Sequence, residues 1–334
     1  MTTREQLIHS AALSGSSTVE IRSVHHPLLL PDIEARAAMR ASLPPAKLNF
    51  EVASRAIFDA IMEHTPDAPD VSYEQSTVGG VPGWWCRPAQ ARPGAVLLYL
   101  HGGAFVLGSA WAVRHLAGQL ASRAGVAAFV PEYRLAPEQP FPAAVDDALS
   151  VYRGLVELEY SSIALAGDSA GGGLALVTLS QATCDAERGE GLRPVGAVVL
   201  SPWTDLCLTG ESLRTRADAD LLVSAQTLGA AVRLYLNGHD PKDPLVSPLF
   251  GDLAGLPPVL VHVGEDEVLL DDSTRYIERL WAAGGVGQLH VWAGMAHVFP
   301  ASVGMFSASG AALDDLGEFL SRQFDSTRST GEKK

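Results

Sequence analysis

Most of the features that mark specialised classes of protein are scarce in this chain. It has three cysteines, Cys86, Cys184 and Cys207. They are an odd, scattered set that forms neither a disulfide framework nor a thiolate metal site, which fits a reducing compartment. Lysine and arginine total 24 against 38 aspartates and glutamates, a formal net charge of -14. No basic stripe gathers anywhere along the chain, which argues against a nucleic-acid partner; the acidity reads as a soluble, self-repelling surface. No uninterrupted apolar stretch is long enough to span a bilayer, so no membrane span is expected. Met1-Thr2-Thr3-Arg4-Glu5-Gln6 lacks the apolar core of a secretory signal, and the expected location is cytoplasmic. No internal repeat is present.

What the chain does have is length and apolar content: 334 residues, 47% of them hydrophobic, enough for a large core. Residues 1–65 read as a mainly helical segment. Helical spacing opens at Pro31-Asp32, breaks at Leu43-Pro44-Pro45 and resumes from Phe50 to Met62. Val71 to Ser76 and Val81 to Cys86 alternate like strands joined at Gly79-Gly80. From Ala95 the pattern becomes α/β. Continuous apolar runs at 95–100, 126–130, 163–166, 195–200, 259–263 and 289–292 alternate with helical stretches, as in a mostly parallel, doubly wound sheet with helices on both faces. The catalytic domain is placed at 66–325. Residues 204 to about 247 exceed one crossover and read as an insertion, packed with the N-terminal helices as a helical cap. Residues 326–334 read as a disordered polar tail.

Gly167-Asp168-Ser169-Ala170-Gly171 fits G-x-S-x-G between a strand-like and a helix-like run, the setting of a nucleophile elbow. Glycine tolerates the backbone angles of such a turn, and small neighbours let strand and helix approach. A serine hydroxyl needs a base, a group to orient the base, and donors for the oxyanion. His297, in the loop after the last strand, fits the base. His25 and His26 lie far upstream, His115 falls in a helix, His239 in the insertion, and His262 and His290 within strands. Asp266, just past the strand at 259–263, fits the acid. Its rivals are Glu265, Glu267, Asp271, Asp272 and, less well placed, Asp205. His101-Gly102-Gly103-Ala104 follows the strand at 95–100. Gly102, Gly103 and Ala104, with Ala170, form the expected oxyanion hole, in which Gly102 shapes the turn and the N–H groups of the other three donate.

His101-Gly102-Gly103-Ala104-Phe105, Tyr133-Arg134-Leu135-Ala136-Pro137-Glu138 with Phe141-Pro142-Ala143-Ala144, Gly167 to Gly172, and Asp266 with His297 together resemble the hormone-sensitive-lipase-like bacterial esterases. The stretches around Ser201-Pro202-Trp203, 243–248 and 264–272 are similar to monoterpene ε-lactone hydrolases. The likeness implies an α/β-hydrolase fold and a serine carboxylic-ester hydrolase with an acyl-enzyme, acting on short to medium acyl esters or lactones and using no metal or cofactor. Phe105 and Trp203, just past strand ends, are the expected substrate-binding residues. Arg134 and Asp147 are expected to brace their loop. Two departures from the family pattern stand out. Ala104 replaces a usual third glycine and serves if its backbone angles are ordinary, and Asp266-Glu267-Val268 replaces Asp-Pro-Leu. Amide hydrolysis or acyl transfer on the same triad is the alternative. A non-catalytic small-molecule receptor is a weaker one, because Ser169, Asp266 and His297 are all retained. The edge at Leu289 to Trp292 suggests a homodimer.

Overall fold

Runs of apolar residues without polar alternation become strands covered on both faces. In the strand Ala95–Leu100, Val96, Leu98 and Leu100 enter one core layer, while Ala95, Leu97 and Tyr99 enter the other, the two-residue period of a strand working on two interiors at once. The protein is seen in a computed structural model that describes residues 22–43 and 47–331.

In chain order the elements are β1 (Arg22–His26), α1 (Leu30–Ser42), α2 (Arg55–Met62), β2 (Val71–Val78), β3 (Val81–Pro88), β4 (Ala95–Leu100), α3 (Ala110–Ala124), β5 (Ala127–Pro131), α4 (Ala143–Glu157), β6 (Ser162–Asp168), α5 (Ser169–Glu187), β7 (Gly196–Leu200), α6 (Ser212–Thr215), α7 (Ala225–Leu236), β8 (Val259–Gly264), α8 (Leu270–Ala282), β9 (Gly287–Trp292) and α9 (Ser307–Gly331). Among the described residues, nine strands form one sheet in the order β1-β9-β8-β7-β6-β4-β5-β3-β2. It is parallel from β1 through β5 and antiparallel at β3 and β2. Helices α3 and α9 cover one face, and α4, α5 and α8 the other. This is the expected α/β-hydrolase fold.

Three details differ from the sequence reading. Arg22–His26 is a strand, not part of a helical segment; it lies parallel on β9, with Arg22 opposite Gln288 and His26 opposite Trp292. The edge at Leu289 to Trp292 is therefore occupied by the chain's own strand, which satisfies the backbone groups that an open edge leaves bare. Residues 1–21 and 44–46 lie outside the described residues. The helical pattern from Leu221 to Leu236 becomes helix α7 only from Ala225, because the Asp220 carboxylate takes the N–H groups of Leu222 and Val223 and Ser224 then caps the helix. The polar stretch from Ser326 continues α9 to Gly331, and residues 332–334 lie outside the described residues.

The insertion is bonded to the N-terminal segment. The N–H of Leu48 donates to the Leu222 carbonyl at 2.9 Å, and Lys47 Nζ reaches the Ala217 carbonyl.

Packing is close at the end of β6. A Cβ on Gly171 would lie 2.1 Å from the Leu100 carbonyl oxygen and 2.2 Å from that of His101, so helix and strand meet there backbone to backbone. Gly171→Ala is expected to lower unfolding free energy by about 3 kcal/mol. Gly310→Ala in α9, where a Cβ meets nothing within 4 Å, is expected to be neutral or to stabilise by up to ~1 kcal/mol. Chemical denaturation of the two variants checks the contrast.

Candidate active site

Strand β6 ends at Asp168 and α5 begins at Ser169, with no residue between them. Such a reversal forces Ser169 to a φ of 53°, in the left-handed region that costs most side chains roughly 1–2 kcal/mol. Ser169 is held there by its surroundings. Gly167 and Gly171 admit the neighbouring backbone, and the N–H of Trp203 donates to the Ser169 carbonyl at 2.9 Å.

His297 lies in the loop after β9. Its Nε2 is 2.9 Å from Ser169 Oγ, and its Nδ1 is 2.7 Å from Glu267 Oε2. A carboxylate only accepts, so the ring proton of neutral His297 sits on Nδ1 and Nε2 presents a lone pair to the serine hydroxyl. Burial acts to lower the pKa of His297. The Glu267 charge and hydrogen bond, with Asp220 and Asp168 behind them, lift it above the ordinary histidine value.

The acid in contact with the base is thus Glu267, not Asp266. Glu267 Oε1 accepts the Gly264 N–H at 2.6 Å and the Ser201 hydroxyl at 2.7 Å. The turn closes on this carboxylate, which has no solvent exposure. Asp266, one position earlier, faces away and ion-pairs with Arg36 of α1. Adjacent residues in a tight turn point in divergent directions, and only one of the two can reach the imidazole. The available signal was the acidic residue standing where the family pattern usually has proline. Asp220 also escaped the sequence reading. Buried in the insertion, it accepts the Val268 N–H at 2.9 Å and so holds the residue beside Glu267. The remaining acids have other partners: Asp205 is bound by Arg275 and the 207–209 turn, Asp271 and Asp272 sit in the first turn of α8, and Glu265 lies 3.7 Å from Arg216.

The register of β4 on β6 pairs Leu100 with Gly167, which brings the turn after β4 beside the elbow. Gly103, Ala104 and Phe105 take φ values of 113°, 56° and 62°. Ala104 therefore lacks the ordinary angles on which its service as a donor is conditional, but with the positive φ it shares with Gly103 and Phe105 its N–H meets no acceptor among the described residues, so the donor is kept. The N–H groups of Val106 and Leu107 fold back onto the Gly103 carbonyl. Asp168 Oδ1 accepts the Tyr99 hydroxyl at 2.8 Å and the Gly102 N–H at 3.1 Å. The Gly102 N–H is thus spent on the turn and is not an oxyanion donor. Among the described residues, no acceptor engages the N–H of Gly103, Ala104 or Ala170.

Phe105 and Trp203 do not line an open site. Phe105 is 2% and Trp203 0% exposed; Phe105 stacks on Tyr235 with centroids 3.9 Å apart, and the Trp203 indole N–H donates to the Asp205 carbonyl. Both are core residues, and Trp203 braces the elbow through its N–H on the Ser169 carbonyl. Arg134 does brace its loop, with Nε and a terminal nitrogen on the Asp147 carboxylate.

Among the described residues, His262, His290 and Asp315 bring three potential metal-ligand atoms together. Trp292 donates its indole N–H to His262 Nδ1 at 3.0 Å. That bond places the His262 proton on Nε2, facing Asp315 Oδ2 at 3.2 Å, while His290 Nδ1 lies 2.7 Å from the same oxygen. With the His262 lone pair engaged by Trp292, the trio is a carboxylate shared by two imidazoles and does not fit a three-ligand metal set. Burial depresses His26, His262 and, at the other end of the site, His101 to about 4. A histidine whose folded pKa is depressed charges first in the unfolded chain, so stability falls as pH drops from 6.5 toward 4. The melting temperature is expected to decline across that window, as followed by calorimetry.

The α/β hydrolase fold family matches residues 97–301. An acetyl-hydrolase of Streptomyces hygroscopicus is 43% identical over 246 residues, 73% of this chain and 81% of that protein. An esterase of Acinetobacter venetianus is 38% identical, covering 82% of this chain and 90% of that protein. Among solved structures, the esterase EstE5 soaked with ethyl alcohol superposes with a TM-score of 0.82 at 36% identity, over 89% of this chain and 99% of that one. An esterase from the bacterial hormone-sensitive lipase family gives 0.79 at 39% identity, over 87% and 97%. By its sheet, its elbow and these relatives, the chain belongs to the α/β-hydrolase fold family, among the hormone-sensitive-lipase-like esterases.

Proposed function

We propose that this carboxylesterase hydrolyses short-chain carboxylic esters through Ser169, His297 and Glu267, with an acyl-enzyme intermediate. The observation that carries the reading is the imidazole of His297 bridging Ser169 Oγ and Glu267 Oε2 at 2.9 and 2.7 Å. His297 Nε2 takes the hydroxyl proton as Ser169 Oγ attacks the ester carbonyl, and Glu267 stabilises the imidazolium that forms. The N–H groups of Gly103, Ala104 and Ala170 receive the oxyanion, each worth roughly 3 kcal/mol of barrier. His297 returns its proton to the leaving alcohol. It then activates the water that cleaves the acyl-enzyme.

Small acyl groups are supported by two relatives whose names specify acetyl substrates, the acetyl-hydrolase of Streptomyces hygroscopicus and the ethyl acetate hydrolase of Pseudomonas putida, the latter 35% identical over 80% of this chain and 88% of that protein. Lactones similar to those of the monoterpene ε-lactone hydrolases are the second substrate class. In this reading the N-terminal segment and residues 204–247 form the cap that limits what reaches Ser169, and product analysis with amides and added alcohols separates hydrolysis of esters from the other reactions of the same triad.

Ser169→Ala is expected to lower p-nitrophenyl acetate turnover on the order of 10⁶-fold with circular dichroism unchanged. A panel of p-nitrophenyl esters of rising acyl length, run beside ε-lactones, is expected to peak at the short chains.

Glu267→Gln is expected to cost about 10⁴-fold in kcat, while Asp266→Asn stays within about tenfold, since Asp266 serves Arg36 and not the imidazole. The base works only when unprotonated. Its raised pKa therefore means that kcat/KM of the parent enzyme falls on acidification from above 6.5. In Glu267→Gln the charge that raises it is gone, and the residual acid limb moves to lower pH.

A further inference from the structure

Ser201, the residue after β7, takes no part in the bond-making steps, yet it is fully buried against them. Its hydroxyl donates to Glu267 Oε1 at 2.7 Å, and the N–H of Val298, the residue after the base, donates to its Oγ at 3.1 Å. A hydroxyl has one proton. With Val298 supplying the donor in the second bond, the Ser201 proton is committed to Glu267. The Ser201 backbone is fixed as well, its N–H donating to the His262 carbonyl of β8 at 2.8 Å. Both ends of this link are held at left-handed φ, 47° at Ser201 and 54° at Val298, the latter unusual for a β-branched residue. Backbone strain at two linked residues beside a site persists only where the surroundings over-determine it.

We propose that Ser201 is a positioning residue for ester hydrolysis: its hydroxyl fixes the Glu267 carboxylate on His297 and ties the backbone carrying His297 to that same carboxylate. The inference rests on the reading of Ser169, His297 and Glu267 as the triad. Three donors converge on one buried carboxylate: Ser201 and the Gly264 N–H on Oε1, and His297 on Oε2. The two donors on Oε1 pin the carboxylate plane and leave Oε2 facing the imidazole. They also draw charge toward Oε1, which keeps the ring proton on Nδ1. Two further acids face His297, Asp220 from the insertion and Asp168 from β6, and neither touches Ser201. Loss of the Ser201 donor therefore leaves the rest of the charge around the base in place, and the His297–Glu267 pair holds its proton more tightly.

The test is steady-state kinetics of Ser201→Ala and Ser201→Gly on p-nitrophenyl acetate across pH. The glycine variant accepts the positive φ without strain, so it keeps the test available where the alanine variant folds poorly. Both variants are expected to lose about 10- to 100-fold in kcat with KM within about twofold, since a misplaced base costs the transition state rather than binding. The acid limb of kcat/KM is expected to move up by about one pH unit, the size of a lost bond to a charged group. This is opposite in direction to Glu267→Gln. A folded glycine variant with parental kcat and an unmoved acid limb overturns the inference, as does a loss confined to thermal stability. Ser169→Ala, assayed alongside, separates the two levels. If it stays active, the triad reading itself fails. If it is dead while both Ser201 variants behave as the parent, only the role of Ser201 fails.

Discussion

Everything at this site depends on how closely α5 can approach β4 at the end of β6. The backbone at Gly171 touches the carbonyls of Leu100 and His101, and the backbone at Gly167 touches that of Gly171. Side chains at either position would push the helix off the sheet. Because they are absent, Ser169 is lifted into its left-handed conformation within reach of His297, and the turn after β4 lies against the residue before the nucleophile. Asp168 then joins the two pieces, binding Tyr99 on β4 and the Gly102 amide with one oxygen. Burial pushes the pKa of that carboxyl up, against the hydrogen bonds that favour its charged form.

What could be read from the chain was whatever local pattern encodes. Ser169 follows from a strand–turn–helix pattern with glycines at fixed offsets. His297 follows from its place after the last apolar run. The sheet follows from apolar runs too continuous for half-exposed strands. Each of these depends on a few neighbouring residues. The acid did not follow, because Asp266 and Glu267 are adjacent carboxylates in one turn, and which of them points inward is set by contacts distant in sequence. Arg36 draws one outward, and Ser201 holds the other inward. The conformation of Ala104 was hidden for the same reason. Three successive residues with positive φ are imposed by the turn's closure onto the Gly103 carbonyl, and alanine carries no mark of it. The burial of Phe105 and Trp203 was hidden as well, because a position after a strand end says where a residue starts, not which way its ring packs.

The acid turn is where distant parts of the chain meet. Glu267 is held by Ser201 after β7 and by the turn's own Gly264, and its neighbours by Asp220 in the insertion and Arg36 in α1. The insertion is bonded in turn to Leu48 and Lys47. The N-terminal segment and the insertion are thereby fastened to the turn that carries Glu267, so neither moves independently of it.

The pairing of β1 with β9 has a consequence for the order of assembly. The first described strand completes the sheet against the last, Arg22 lying opposite Gln288. During synthesis β1 is made early but has no partner until nearly the whole chain is available. The loop it must close is among the longest this chain offers, and such contacts are slow to form. The apolar edge of β9 stays open until that late step. Pairing of β1 with β9 thus closes that border of the sheet, and the strand that covers it comes from the far end of the described chain.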